Sequence, residues 1–109
     1  MKSNFNEALN AFQDGKLNEA KNICEEILKQ ETNNSQVYNL YAFTLYYLEK
    51  FDAAVECWSK AIKINPNYIE AYNGRGNAFI KLQKLDDAII NFNQALKINP
   101  NYFEAYNNL

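Results

Sequence analysis

Chemistry at neutral pH needs reactive side chains at useful spacings, and this 109-residue chain offers few of them. It has no histidine and two cysteines, Cys24 and Cys57. That set cannot supply a zinc-finger ligand group, a Cys/His nucleophile pair or a Ser/His/Asp triad, so no metal, no cofactor and no catalysis are expected. Its carboxylates come as neighbours, Glu25 with Glu26 and Asp86 with Asp87. Adjacent residues diverge by about 100° around a helix, which suits solvated faces better than a paired acid and base. Gly74-Arg75-Gly76 faintly suggests a phosphate-binding loop, and Asn73-Gly74 a turn, but neither follows a strand. Asn33-Asn34-Ser35 matches a glycosylation acceptor. Without a secretory signal that match has no consequence, and the stretch from Met1 to Glu7 lacks the apolar core and cleavage site of one.

What must position any functional surface is therefore the scaffold. Its composition, 48% hydrophobic with 3 Gly and 2 Pro, excludes disorder and linker-rich organisation and fits one small domain, residues 1–109. Eleven Lys and Arg against thirteen Asp and Glu give a net charge of −2. Nucleic-acid binding would lack its usual electrostatic drive, and no basic run supplies it locally. No apolar run approaches the roughly 18 residues of a membrane span. Both cysteines fall in helical apolar patterns and read as buried free thiols, so a cytoplasmic setting is expected.

Self-comparison organises the chain. Asn65-Pro66-Asn67-Tyr68 returns 34 residues later as Asn99-Pro100-Asn101-Tyr102. At the same offset Tyr38-Asn39 recurs as Tyr72-Asn73 and Tyr106-Asn107, Trp58 as Phe92, and Ala61 as Ala95. Gly15-Lys16-Leu17-Asn18-Glu19-Ala20 aligns with Glu49-Lys50-Phe51-Asp52-Ala53-Ala54, making the first 34 residues a diverged copy. Three repeats follow, 1–34, 35–68 and 69–102, with residues 103–109 starting a fourth.

Each repeat reads as a helical hairpin. Ala54, Val55, Trp58, Ala61 and Ile62 follow i, i+1, i+4, i+7, i+8, and so do Ala88, Ile89, Phe92, Ala95 and Leu96, marking the second helices. First helices carry Tyr38, Tyr41, Ala42 and Leu45, or Tyr72, Gly76 and Phe79. Polar junctions at Gly15-Lys16, Glu49-Lys50 and Gln83-Lys84 separate the two. Asp52 and Asp86 suit helix starts, where the dipole favours a carboxylate, and Pro66 and Pro100 suit positions just past helix ends. Gly76 aligns with Ala42 and Ala8, so its expected role is close approach of the partner helix.

This period and its columns resemble the tetratricopeptide repeat (TPR) family. The residues that carry the resemblance are Tyr72, Gly76, Phe79, Ala88, Phe92, Ala95 and Pro100, and in the second repeat Tyr38, Ala42, Leu45, Ala54, Trp58, Ala61 and Pro66. The first repeat keeps Ala8 and Ala20, but has Cys24 in the Trp58 column, Asn4 for the aromatic and Thr32 for the proline. The resemblance implies an all-α, right-handed superhelical solenoid of antiparallel helix-turn-helix hairpins whose first helices line a concave groove. It implies a protein-interaction module that binds a peptide or helix of a partner there.

The first-helix residues outside the core columns are then the expected wall. They are Leu9 and Phe12, Asn39, Phe43, Tyr46 and Tyr47, and Asn73, Asn77, Ile80 and Lys81, with Phe5, Gln13 and Leu40 beside them. Aromatic rings cluster at its middle, and Tyr is enriched in binding hot spots. The competing reading packs these rings against neighbouring repeats. Asn39, Asn73 and Asn107 form a column able to hydrogen-bond a peptide backbone, or simply a solvated amide face. One TPR subclass grips chaperone C-terminal carboxylates with Lys, Asn and Arg on the inner helices. Here those places hold Phe5, Leu9, Leu40, Glu70 and Gly74, so that clamp is absent. RNA binding by related repeats needs a basic wall, and this one has chiefly Lys81 against Glu70 and Glu104.

An alternative function is structural. No polar capping helix follows the third repeat, so the chain is expected either to be part of a longer protein or to self-associate through its uncapped C-terminal repeat by stacking or helix exchange.

Overall fold

The computed structural model describes residues 4–108; residues 1–3 and 109, which the sequence assigns to the outer ends of the first and fourth repeats, lie outside them. Among the described residues there are seven helices and no strand: α1 (Phe5–Gln13), α2 (Leu17–Gln30), α3 (Ser35–Tyr47), α4 (Phe51–Ile64), α5 (Ile69–Lys81), α6 (Leu85–Ile98) and α7 (Phe103–Asn108). The 34-residue offset appears directly in the starts of α2, α4 and α6, and again in those of α3, α5 and α7.

Consecutive helices pack together, and each odd-numbered helix also touches the next odd one, whereas α2, α4 and α6 stand apart from one another. The odd helices therefore form the tighter, inner side of a curved stack and the even helices its wider outer side. The body measures 42 × 24 × 20 Å, elongated as stacked hairpins require. Its apolar interior is likewise divided into three successive clusters. One gathers Ala8, Cys24, Ile27, Val37 and Leu40, a second surrounds Trp58, and a third surrounds Phe92.

Small residues set the spacing. Ala8, Ala20, Ala42, Ala54, Ala61 and Ala95 are fully buried. A Cβ on Gly76 would lie 2.6 Å from Cε1 of Phe92 in the partner helix, the close approach expected there. Gly74 has an equivalent role across repeats: its Cβ would lie 2.4 Å from Cζ2 of Trp58. The two glycines thus serve packing inside a helix, with neither a turn nor a phosphate loop.

Within each hairpin the turn is a left-handed C-terminal cap. At the three equivalent sites Gly15, Glu49 and Gln83 have φ of 78°, 63° and 61°. Their N–H groups donate to the carbonyls of Phe12, Tyr46 and Ile80, while those of Lys16, Lys50 and Lys84 donate to Ala11, Leu45 and Phe79. This is the Schellman arrangement, repeated three times. Only Gly15 adopts its φ without steric cost; a non-glycine residue there loses about 1–2 kcal/mol. Glycine's extra freedom in the unfolded chain offsets part of that, roughly 0.5–1 kcal/mol. Glu49→Gly and Gln83→Gly should each raise stability by roughly 0.5–1 kcal/mol, read as a higher urea midpoint at unchanged m-value. A lower midpoint would show that these side chains make compensating contacts.

Helix starts differ in chemistry. Asn4 and Asn34 cap α1 and α3 by accepting from the N–H groups of Glu7 (2.9 Å) and Val37 (3.2 Å). Asp52 and Asp86 lie in the first turns of α4 and α6 and act through the dipole, because Lys50 and Lys84 occupy the cap positions without a side-chain bond. Between hairpins, Asn65 and Asn99 accept from the N–H groups of Asn67 and Asn101, which fixes the turns around Pro66 and Pro100.

Candidate functional site

The side chains expected on the wall fall into two groups. Over α1 and α3 they form a continuous aromatic patch. Tyr47 is 59% exposed; its ring lies 5.8 Å from Phe12 of α1 and 5.4 Å edge-on from Tyr46. Tyr46 is half-buried and also meets Phe51 at 5.3 Å and Trp58 at 6.1 Å. Phe43 stands T-shaped against Trp58 at 5.0 Å, and Leu9 packs beside Phe12 in the N-terminal cluster. The two readings of these rings divide by residue. Phe43 and Tyr46 spend one face on the core while remaining half-exposed, and Tyr47 is mainly surface. Burial raises the Tyr46 hydroxyl pKa, with Tyr47 beside it adding to the effect, so the Tyr46 ring stays neutral over the physiological range.

Over α5 and α7 the character changes. Asn73 and Asn77 are half-buried, and Ile80 and Lys81 are exposed. Asn73 accepts from Nδ2 of Asn108 at 3.2 Å, linking α5 to α7. Asn107 is exposed.

Asn39 corrects the expected amide column. It is buried, and its Oδ1 accepts from Trp58 Nε1 at 2.8 Å. A buried indole N–H must find an acceptor, so this carboxamide serves the core. Its column shares spacing but not environment: Asn39 faces Trp58, whereas Asn73 faces Asn108.

The sequence reading missed a polar clasp between repeats. Tyr41 Oη donates to Glu25 at 2.7 Å, and Lys21 pairs with the same carboxylate at 3.3 Å. The Tyr41 bond, more than Lys21, holds Glu25 below the usual carboxylate pKa, while burial and Glu25 push the Tyr41 hydroxyl up. Because folding lowers the Glu25 pKa, this clasp contributes stability at neutral pH and loses it as acid protonates the carboxylate. One repeat later Arg75 takes the place of Tyr41. It donates through Nε to Asn91 (2.7 Å) and through an Nη to Ser59 (3.0 Å), and it lies 5.7 Å from the Tyr72 ring centroid. Burial lowers the Arg75 pKa. The signal was legible: both contacts to the preceding even helix span 16 residues at positions 34 apart.

Cys24 and Cys57 are free and buried, and desolvation pushes their thiols up to about 12 and about 11, leaving little nucleophilic thiolate at neutral pH. Among the described residues, no group of His, Cys, Asp and Glu side chains gathers to hold a metal, and no helix is long and apolar enough to cross a membrane. An open cleft of about 620 Å³ at Gln30–Gln36 is lined by Glu31 and uncharged polar residues of the α2–α3 loop and the adjoining helix ends.

Comparison with known proteins agrees with this architecture. A TPR repeat model matches residues 44–83 and a tetratricopeptide repeat model matches residues 69–102. No curated protein matches the chain. Among solved structures, the first TPR of Spaghetti (RPAP3) bound to the HSP90 peptide SRMEEVD is 30% identical, with TM-score 0.91, over 94% of this chain and 81% of that one. The Arabidopsis OM64 TPR domain is 27% identical, with TM-score 0.91, over 93% and 84%. The second TPR domain of human RPAP3 is 23% identical, with TM-score 0.94, over 98% and 89%, a likeness of fold. With its recurring helical hairpins, its buried small-residue columns and these matches, the chain belongs to the tetratricopeptide repeat family.

Proposed function

We propose that the chain is a non-catalytic protein-interaction module that holds a segment of a partner protein against the concave side of α1, α3 and α5. The carrying observation is the aromatic patch spanning two repeats, with Tyr47 59% exposed at its centre and in contact with Phe12 and Tyr46. A flat ring with a polar tip supplies contact area at low entropic cost, and such residues dominate binding energies. The similar first TPR of Spaghetti is bound to a peptide, which supports the same mode of use here.

Tyr47→Ala is the discriminating variant, because Tyr46 also touches Trp58 and Phe51 and its truncation would disturb the core. Tyr47→Ala should weaken partner binding by about tenfold or more, equivalent to at least 1.4 kcal/mol, with helical circular dichroism unchanged. Undiminished affinity would refute the assignment.

A second reading is favoured by the other end of the stack. Leu85 (61%), Ile90 (58%), Phe103 (69%) and Tyr106 (51%) are exposed on α6 and α7, while α1 and α2 expose no large hydrophobic residue. Two copies meeting through these apolar ends would cover them, whereas head-to-tail stacking would set them against a polar end. Light scattering should then give a mass that rises with concentration towards a dimer. A monomer mass throughout would remove this reading.

A further inference from the structure

The wall over α1, α3, α5 and α7 is unevenly furnished in polarity and charge. Helix α3 contains no charged residue, and α1 contains one, Glu7, in its first turn. Helix α5 adds Glu70 and Lys81 at opposite ends, and α7 adds Glu104. Arg75, the remaining cation of these helices, is occupied with Ser59 and Asn91 on the even helices. An acidic ligand on the α5–α7 part of this wall would therefore meet the first-turn carboxylates Glu70 and Glu104 against one lysine, Lys81. Along the stack the α1–α3 half presents Leu9, Phe12, Phe43, Tyr46 and Tyr47, and the α5–α7 half presents the amides of Asn73, Asn77 and Asn107, with Ile80 and Lys81 at the C-terminal end of α5.

Resting on the groove reading above, we infer that the ligand is an uncharged or basic segment, apolar at the end lying over α1–α3 and amide- or hydroxyl-bearing over α5–α7, bound without a terminal carboxylate. Adjacent packed helices lie about 8–10 Å apart. Crossing from one odd helix to the next takes roughly three extended residues at about 3.3 Å each. Two or three large apolar side chains followed by a similar run of Ser, Thr, Asn or Gln fill this wall. Apolar burial supplies the affinity, so binding does not depend on long-range charge. The amides fix the direction, because reversing the segment would set its polar side chains against desolvating rings and leave Asn77 facing hydrocarbon.

The test uses the whole 109-residue chain and three synthetic peptides, followed by calorimetry and amide NMR. The first is a blocked neutral peptide of three leucines followed by alternating serine and asparagine. The second has the same composition with the leucines interspersed among the serines and asparagines, and the third is the acidic SRMEEVD. The expected result is tightest binding of the first, unchanged between about 0.01 M and 1 M salt, where the screening length falls from about 30 to 3 Å. Tyr47→Ala should weaken it about tenfold or more. Tighter binding of SRMEEVD, lost on amidating its C-terminus, would overturn the ligand class while leaving the groove reading intact. Equal binding of the segregated and interspersed peptides would overturn the division of the wall into an apolar and an amide part. Failure of all three to shift any residue of α1, α3 or α5 would overturn both this inference and the groove reading.

Discussion

Trp58→Ala should lower stability by about 3–5 kcal/mol, the range for removing a fully buried large aromatic. A domain of this size has about 5–15 kcal/mol in total, so the variant would sit close to unfolding at room temperature. The magnitude follows from position. Trp58 is 0% exposed and meets Phe43 and Tyr46 of its own hairpin; Gly74 of the next hairpin closes over its indole. Its removal empties the interface between two repeats and strips the partner from the buried oxygen of Asn39. Trp58→Phe separates these contributions, since it retains much of the volume but orphans that oxygen at a cost of about 1–3 kcal/mol. Urea denaturation reads both, and a loss below about 1 kcal/mol for Trp58→Ala would contradict the packing described.

The second large effect is Gly74→Leu. Leucine for glycine within a helix gains nearly 1 kcal/mol of propensity, which alone would favour the variant. Packing reverses the sign. The new Cβ already falls 2.4 Å from the Trp58 ring, which is fully buried and cannot yield, so the cost should reach or exceed the usual 1–3 kcal/mol of overpacking. The preceding interface solves the same space differently: Cys24 stands in the Trp58 column and Leu40 in the Gly74 column, both in one buried cluster. Trp58→Cys with Gly74→Leu transplants that solution. The double variant should be less destabilised than the sum of the singles by about 1–3 kcal/mol, a coupling measurable in a double-mutant cycle. Additive losses would mean that the two positions do not share their volume.

This pairing shows what the sequence displays and what it conceals. The hairpins, their turns and the buried alanine columns were legible because each recurs at one period, and helical periodicity converts recurrence into a face. The partner across an interface was less legible. Gly74 looks like a turn residue in isolation, and only the Trp58 ring beside it explains its presence. Asn39 and Asn73 occupy equivalent positions, yet their surroundings differ because Trp58 has an N–H to satisfy and Phe92, its counterpart, has none. Equivalent columns predict equivalent backbone, while side-chain roles depend on the neighbour each repeat happens to contain. Tyr46 and Tyr47 illustrate the same point on the candidate site. They are adjacent in sequence, but one ring is committed partly to the core and the other is open.

The central claim is that the inner, odd-numbered helices are the surface offered to a partner. An amide NMR titration of the labelled chain with the blocked leucine–serine–asparagine peptide tests it most directly. Shift changes centred on Phe12, Phe43, Tyr47 and Asn77, with α2, α4 and α6 quiet on their outer faces, are the predicted result. Changes centred on the outer faces of those even helices would contradict it.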